Sequence, residues 1–117
     1  MTAALAPSGE TVRRGDIWWV DFDVVETAEM RPMRPAVVIT ADALNRARRT
    51  VMVVPLATGP QPRPPIVVAT PSAGPGRVAV CDQARAVDKA RLTRTAGQLS
   101  PPDLKAVEDG LRRVLEL

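Results

Sequence analysis

At 117 residues the chain has the length of one domain, enough for a core of its own and too short for two. Sixteen basic against 13 acidic residues leave a net charge of +3, which admits a polyanionic partner without demanding one. Histidine and tyrosine are absent, so histidine acid–base chemistry is excluded, and a lone Cys81 excludes an internal disulfide or a cysteine-based metal site.

The opening MTAALAPSGET lacks the charged start and long apolar core of a secretion signal. It is expected to form a flexible tail (1–11) ahead of a single domain (12–117) in a cytoplasmic protein. No apolar run approaches the ~20 residues of a membrane span, so no membrane partner is expected. GDIWWVDFDV (15–24) alternates, with Ile17, Trp19 and Asp21 on one face and Trp18, Val20 and Phe22 on the other, which predicts a strand. PAVVIT (35–40) predicts a second strand and ADALNRA (41–47) a single helical turn. TVMVVPLA (50–57) predicts a strand interrupted or ended by Pro55, since proline cannot donate to a ladder and belongs at an edge or bulge. GPQPRPP (59–65) holds four of the 12 prolines and reads as an extended loop. IVVAT (66–70) and RVAVCDQ (77–83) read as strands around the turn PSAGPG, with Cys81 a buried strand residue. AVDKARL (86–92) has no clear period, and RTAGQL (94–99) suggests a last short strand.

The chain closes on a helix. Ser100 suits the N-cap, Pro101 the first helical position and Asp103 the positive N-terminus. Leu104, Val107, Leu111, Val114 and Leu115 recur at helical spacing as one apolar face. Short strands with proline-rich turns and one terminal helix predict an α+β fold: a small curled antiparallel sheet or partial barrel with the helix packed on it.

The chemistry on offer is narrow. No GxxxxGK[ST] and no strand-linked GxGxxG is present to cradle a nucleotide phosphate. Asp21 and Asp23 share a strand face, but carboxylates at a sheet end are usually solvated, and no metal or other cofactor is expected. Arginine with carboxylate remains. CDQAR (81–85) sets Asp82, Gln83 and Arg85 where a strand exits into a loop, and Arg34-Pro35 stands at the mouth of the second strand. Each has a plain reading as a solvated or loop-bonded charge, and a functional one as a site for an anion.

Taken together, GDIWWVDFD, RPAVVIT, VMVVPLATG and VAVCDQARAVDKARL, followed by the capped helix, resemble the MazF/PemK (Kid) toxin endoribonucleases over about residues 13–117. The resemblance implies an SH3-like barrel of the CcdB/PemK kind with a terminal helix, a homodimer, and metal-independent cleavage of single-stranded RNA within a toxin–antitoxin system. The 2′-hydroxyl attacks the adjacent phosphate, leaving a 2′,3′-cyclic phosphate and a 5′-hydroxyl. By the same resemblance Arg34 matches the catalytic arginine, Asp82 the general base or orienting group, and Glu29 a functional glutamate of the first loop. Arg31, Arg63, Gln83 and Arg85 are then candidate RNA contacts, and an acidic, extended antitoxin segment is the expected inhibitor. The family's threonine after the VVP strand is Ala57 here, so Thr58 can serve only if a bulge after Pro55 re-aims it. An arginine two residues before the aspartate is replaced by Val80. A gyrase-binding toxin of related fold and a catalytically weak nucleic-acid binder are the competing functions.

Overall fold

Alternating apolar side chains, β-branched residues and proline-rich breaks produce seven short strands and two helices in the computed structural model, which describes residues 5–22 and 33–117. In chain order these are β1 (Asp16–Asp21), β2 (Met33–Val38), α1 (Asp42–Ala47), β3 (Thr50–Thr58), β4 (Val67–Ala69), β5 (Arg77–Val80), β6 (Arg85–Asp88), β7 (Leu92–Gln98) and α2 (Pro101–Leu115). The strands pair antiparallel in one open sheet ordered β4-β5-β3-β2-β1-β7, with β6 also on β3.

β3 is the spine, and Pro55 lies within it rather than ending it. One edge of β3 pairs with β2, through Val53↔Val38, Val54↔Val37 and Pro55↔Ala36. Met52 O accepts from Ile39 N at 2.9 Å, so strand alternation turns the Pro55 nitrogen toward the opposite edge. That edge changes partner there: β6 covers Thr50–Val53, and β5 covers Leu56–Thr58. Had the β5 register run on, Val53 would meet Asp82; it meets Arg85, three residues later. β5 and β6 are thus two halves of one strand line, separated by a jog opposite the residue that has no N–H to offer. The jog is a 3₁₀ turn, Cys81–Gln83, which corrects the expectation that 77–83 is strand throughout. Cys81 is buried as expected, its N–H donating to Ile66 O at 2.8 Å.

The alternation buries a core on each face. Trp18, Val20, Ala36, Val38, Val51, Val53, Val87 and Leu92 fill the inside of the curl. Ile17, Val37, Val54, Leu56, Val68, Ala79, Cys81 and Leu99 meet Val107 of α2 on the other. Each buried valine, isoleucine or leucine among them contributes about 1.5–3 kcal/mol relative to exposure. α2 is built as its sequence requires: Ser100 Oγ accepts from Asp103 N at 3.3 Å, and Pro101 stands first. Leu104, Val107, Leu111 and Val114 pack inward, whereas Leu115 is 57% exposed and does not join the apolar face expected for it. Order also begins earlier than Val12: Leu5 bridges Thr11, and Ala6 is buried in the inner core.

Candidate functional site

The site gathers at the open mouth of the inner curl. Arg34 opposes Val20 across the β1–β2 ladder and alternates with Ala36 and Val38, so it stands on the inner-core face at the rim, exposed. Pro35, buried and opposite Trp19, fixes the backbone just behind it. Phe22 follows Val20 by two residues, just past the end of β1, and packs against the inner core. Arg85, opposite Val53, also faces inward.

Arg85 and Phe22 reveal how strongly the sheet is rolled. β6 and β1 are three strand steps apart, about 14 Å in a flat sheet. The Arg85 guanidinium nevertheless lies 5.1 Å from the Phe22 ring centroid, a cation–π contact across the mouth. Around it Asp21, Ala86, Asp88 and Arg91 complete a cavity of about 270 Å³. Asp21 and Arg91 approach to 4.0 Å as an ion pair, and Asp88 Oδ1 accepts from Ala90 N at 2.8 Å. A second stacked pair, Arg94 over Trp19 at 5.2 Å, lies on the outer face.

The jog carries Asp82 and Gln83, both exposed, immediately before Arg85. Cys81 beneath them is inert: burial, with the Asp82 charge adding to it, pushes its thiol up to about 11. Among the described residues no three His, Cys, Asp or Glu side chains are grouped as metal ligands.

Two expectations are corrected. Thr58 is not re-aimed, because β3 pairs with β5 in unbroken register through Leu56↔Ala79, Ala57↔Val78 and Thr58↔Arg77. Without a bulge Ala57 keeps the Arg34 face and Thr58 takes the opposite one; the β2–β3 register, carried two residues on, sets Arg34 across from Ala57. Arg63 is not near the mouth. Its N–H donates to Val67 O at 2.7 Å, fastening the loop to the β4 edge, three strands from β2, while Pro64 and Pro65 run against α2. Glu29, Arg31 and Asp23 lie outside the described residues. The sequence reading missed Phe22 as a site residue, although the WWVDFD alternation already put it on the face of Trp18 and Val20.

The family model for "PemK-like, MazF-like toxin of type II toxin-antitoxin system" matches residues 13–115. Endoribonuclease MazF9 of Mycobacterium tuberculosis is 30% identical over 115 residues, spanning 91% of this chain and 98% of the relative. Endoribonuclease toxin MazF of Escherichia coli K12 is 32% identical over 95 residues, spanning 80% and 85%. Among solved structures, MazF from Deinococcus radiodurans superposes with a TM-score of 0.77 at 22% identity, covering 92% of this chain and all of that one. An endoribonuclease in complex with its cognate antitoxin from a mycobacterial species gives 0.74 at 21%, covering 90% and 95%. At these identities the structural likeness speaks to the fold.

Proposed function

This chain belongs to the PemK-like, MazF-like toxins of type II toxin–antitoxin systems, and on that premise we propose that it is an endoribonuclease that cuts single-stranded RNA at the mouth formed by Arg34, Phe22 and Arg85. The observation that carries the reading is that Arg34 of β2 and Arg85 of β6 both stand on the inner-core face of the sheet, with the Phe22 ring against the Arg85 guanidinium. Such a face can hold a phosphate and a base at once.

The chemistry follows from what the chain can supply. A 2′-hydroxyl loses its proton to a carboxylate, Asp82 from the jog or Glu29 from the first loop, and its oxygen attacks the adjacent phosphorus. The P–O5′ bond breaks, leaving a 2′,3′-cyclic phosphate, and the 5′ oxygen takes up a proton. Arg34 stabilises the charge that builds on the phosphorane oxygens, and its planar fork suits two of them together. Gln83, Arg85 and Arg31 contact the flanking RNA. With Ala57 where a hydroxyl would complete the set, Arg34 carries more of the stabilisation.

A nuclease of this kind needs a cytoplasmic inhibitor, and a basic rim suits an acidic, extended antitoxin segment that competes with RNA on a homodimer. The test of the activity is product analysis: RNA incubated with protein and EDTA should give cyclic-phosphate and 5′-hydroxyl ends. A strict requirement for divalent metal, or intact RNA, overturns the mechanism.

A further inference from the structure

Several arginines of this fold have an evident partner. Arg14 pairs with Glu108 at 2.7 Å, Arg91 with Asp21 and Arg112 with Asp109, while Arg85 and Arg94 stack on rings. Around α1 the pattern differs. Arg46, Arg48 and Arg49 stand within four residues of chain, all exposed, and Arg13 is exposed beside them. Among the described residues none of these four side chains forms an ion pair or a hydrogen bond.

Asp42 places Arg13 in the group. Its carboxyl is held below the usual carboxylate range by the Arg14 N–H that donates to it at 2.7 Å, and also by the nearby charges of Arg46 and Arg13. Asp88, opposite Thr50 at the same end of β3, already accepts from Ala90 N at 2.8 Å. Two carboxylates engaged by backbone amides leave the four guanidinium groups in excess, and like charges so crowded repel one another.

The group is held in place from below. Lys89 is buried, its Nζ donating to Asn45 O in α1, and its N–H donates to Arg49 O at 2.8 Å. Asn45 Nδ2 in turn donates to Thr40 O at 2.8 Å. α1 is therefore pinned to both β2 and the β6–β7 connection, and its arginines are presented from a rigid base. It follows the end of β2, whereas Arg34 stands near the start of that strand. Seven residues at strand rise separate Arg34 from Ala41, about 20 Å.

Building on the ribonuclease reading, we propose that Arg13, Arg46, Arg48 and Arg49 form an exosite for the phosphate backbone of the same RNA, remote from the cut. A crowded set of guanidinium groups without counter-ions is what a polyanion neutralises, and RNA is the polyanion this chain would hold. The distance to Arg34 means that only a strand running several nucleotides past the cut engages both.

The experiment measures binding of a long single-stranded RNA by fluorescence anisotropy across a salt series. Arg34→Ala serves as the parent, so that the strand stays whole, with and without the triple change Arg46→Gln, Arg48→Gln and Arg49→Gln. Melting curves verify folding. Each phosphate contact on a single strand contributes about 0.7 to the slope of log affinity against log salt, so the triple change should flatten that slope by about 2. Between about 50 and 200 mM salt the parent should then lose about 16-fold more affinity than the triple variant. Lysine at all three positions should restore the slope, because a point charge suffices for a phosphate. With Arg34 in place, the triple change should raise KM for long RNA about 10-fold and leave cleavage of a short oligonucleotide that only brackets the cut unaffected. An unchanged slope, or equal losses on short and long RNA, would overturn the exosite. Loss of polyglutamate binding with RNA binding intact would overturn it too, and assign the patch to an acidic protein. If the wild type cuts no RNA, the ribonuclease reading falls separately, and the anisotropy slope alone decides the exosite.

Discussion

Replacing Gly110 by alanine tests how the helix supports the site. Gly110 is buried midway along α2, where a Cβ would stand 2.9 Å from Cys81 Sγ, 2.9 Å from Pro65 O and 3.1 Å from Val68 Cγ2. Alanine in a helix interior normally gains about 0.8–1 kcal/mol over glycine. Overpacking a tight contact costs about 1–3 kcal/mol, and here one obstacle is backbone, which yields least. The balance is a net loss of roughly 1–2 kcal/mol, or about 4–8 °C in melting temperature for a chain of this size. The displacement also has a direction. Pushing Cys81 moves the 3₁₀ turn that carries Asp82 and Gln83, so cleavage measured well below the melting point should fall as well. Calorimetry and guanidinium unfolding give the stability, and RNA cleavage at 25 °C gives the second readout. Adding Cys81→Ala removes one of the two closest contacts and should restore part of the loss, with a coupling of at least about 0.5 kcal/mol. Gly110→Ala melting at or above the wild type would refute the close approach of α2 to this turn.

Three further outcomes are expected. Arg34→Ala should lower cleavage about 10²–10³-fold with the melting temperature unchanged, and Arg34→Lys should do little better; a near-normal rate with lysine would show that the planar fork is unimportant. Ala57→Thr should raise the cleavage rate and Thr58→Ala should leave it alone, whereas the reverse pattern would place the wrong residue on the Arg34 face. Burial raises the Cys81 thiol from 9.0 to about 11, so the unfolded chain sheds this proton first. Stability contributed by the neutral thiol is full below pH 9 and is lost as pH climbs toward 11. The guanidinium midpoint of the wild type should therefore drop further between pH 8.5 and 10.5 than that of Cys81→Ala, and equal drops would argue that the thiol is not buried.

Features set by near neighbours in the chain are legible in the amino-acid sequence itself. The two-residue alternation of IWWVDF assigns Trp18, Val20 and Phe22 to one face, and Ser100-Pro101 marks the start of α2 to the residue. These depend on side-chain direction and on capping, both settled within a few positions. Arg34, Asp82 and Arg85 stand out through motif resemblance together with the scarcity of other chemistry, and the fold turns Arg34 and Arg85 to one face of the sheet. Pairing between distant segments decides the rest. Pro55 was expected at an edge or bulge, yet it lies inside β3, and the irregularity passes to the opposing chain some 27 residues later, as the jog at Cys81–Gln83. The Arg85–Phe22 contact depends on the roll of the sheet across the three strand steps from β6 to β1, a curvature that no local pattern encodes. Thr58 and Arg63 illustrate the same divide. Whether Thr58 turns inward hangs on its register with β5, and whether Arg63 reaches the mouth hangs on its bridge to Val67. Residue type and spacing set which side chains are available and which way each strand turns them, but only tertiary pairing sets which of them meet, because a one-residue change of register sends a side chain to the opposite face.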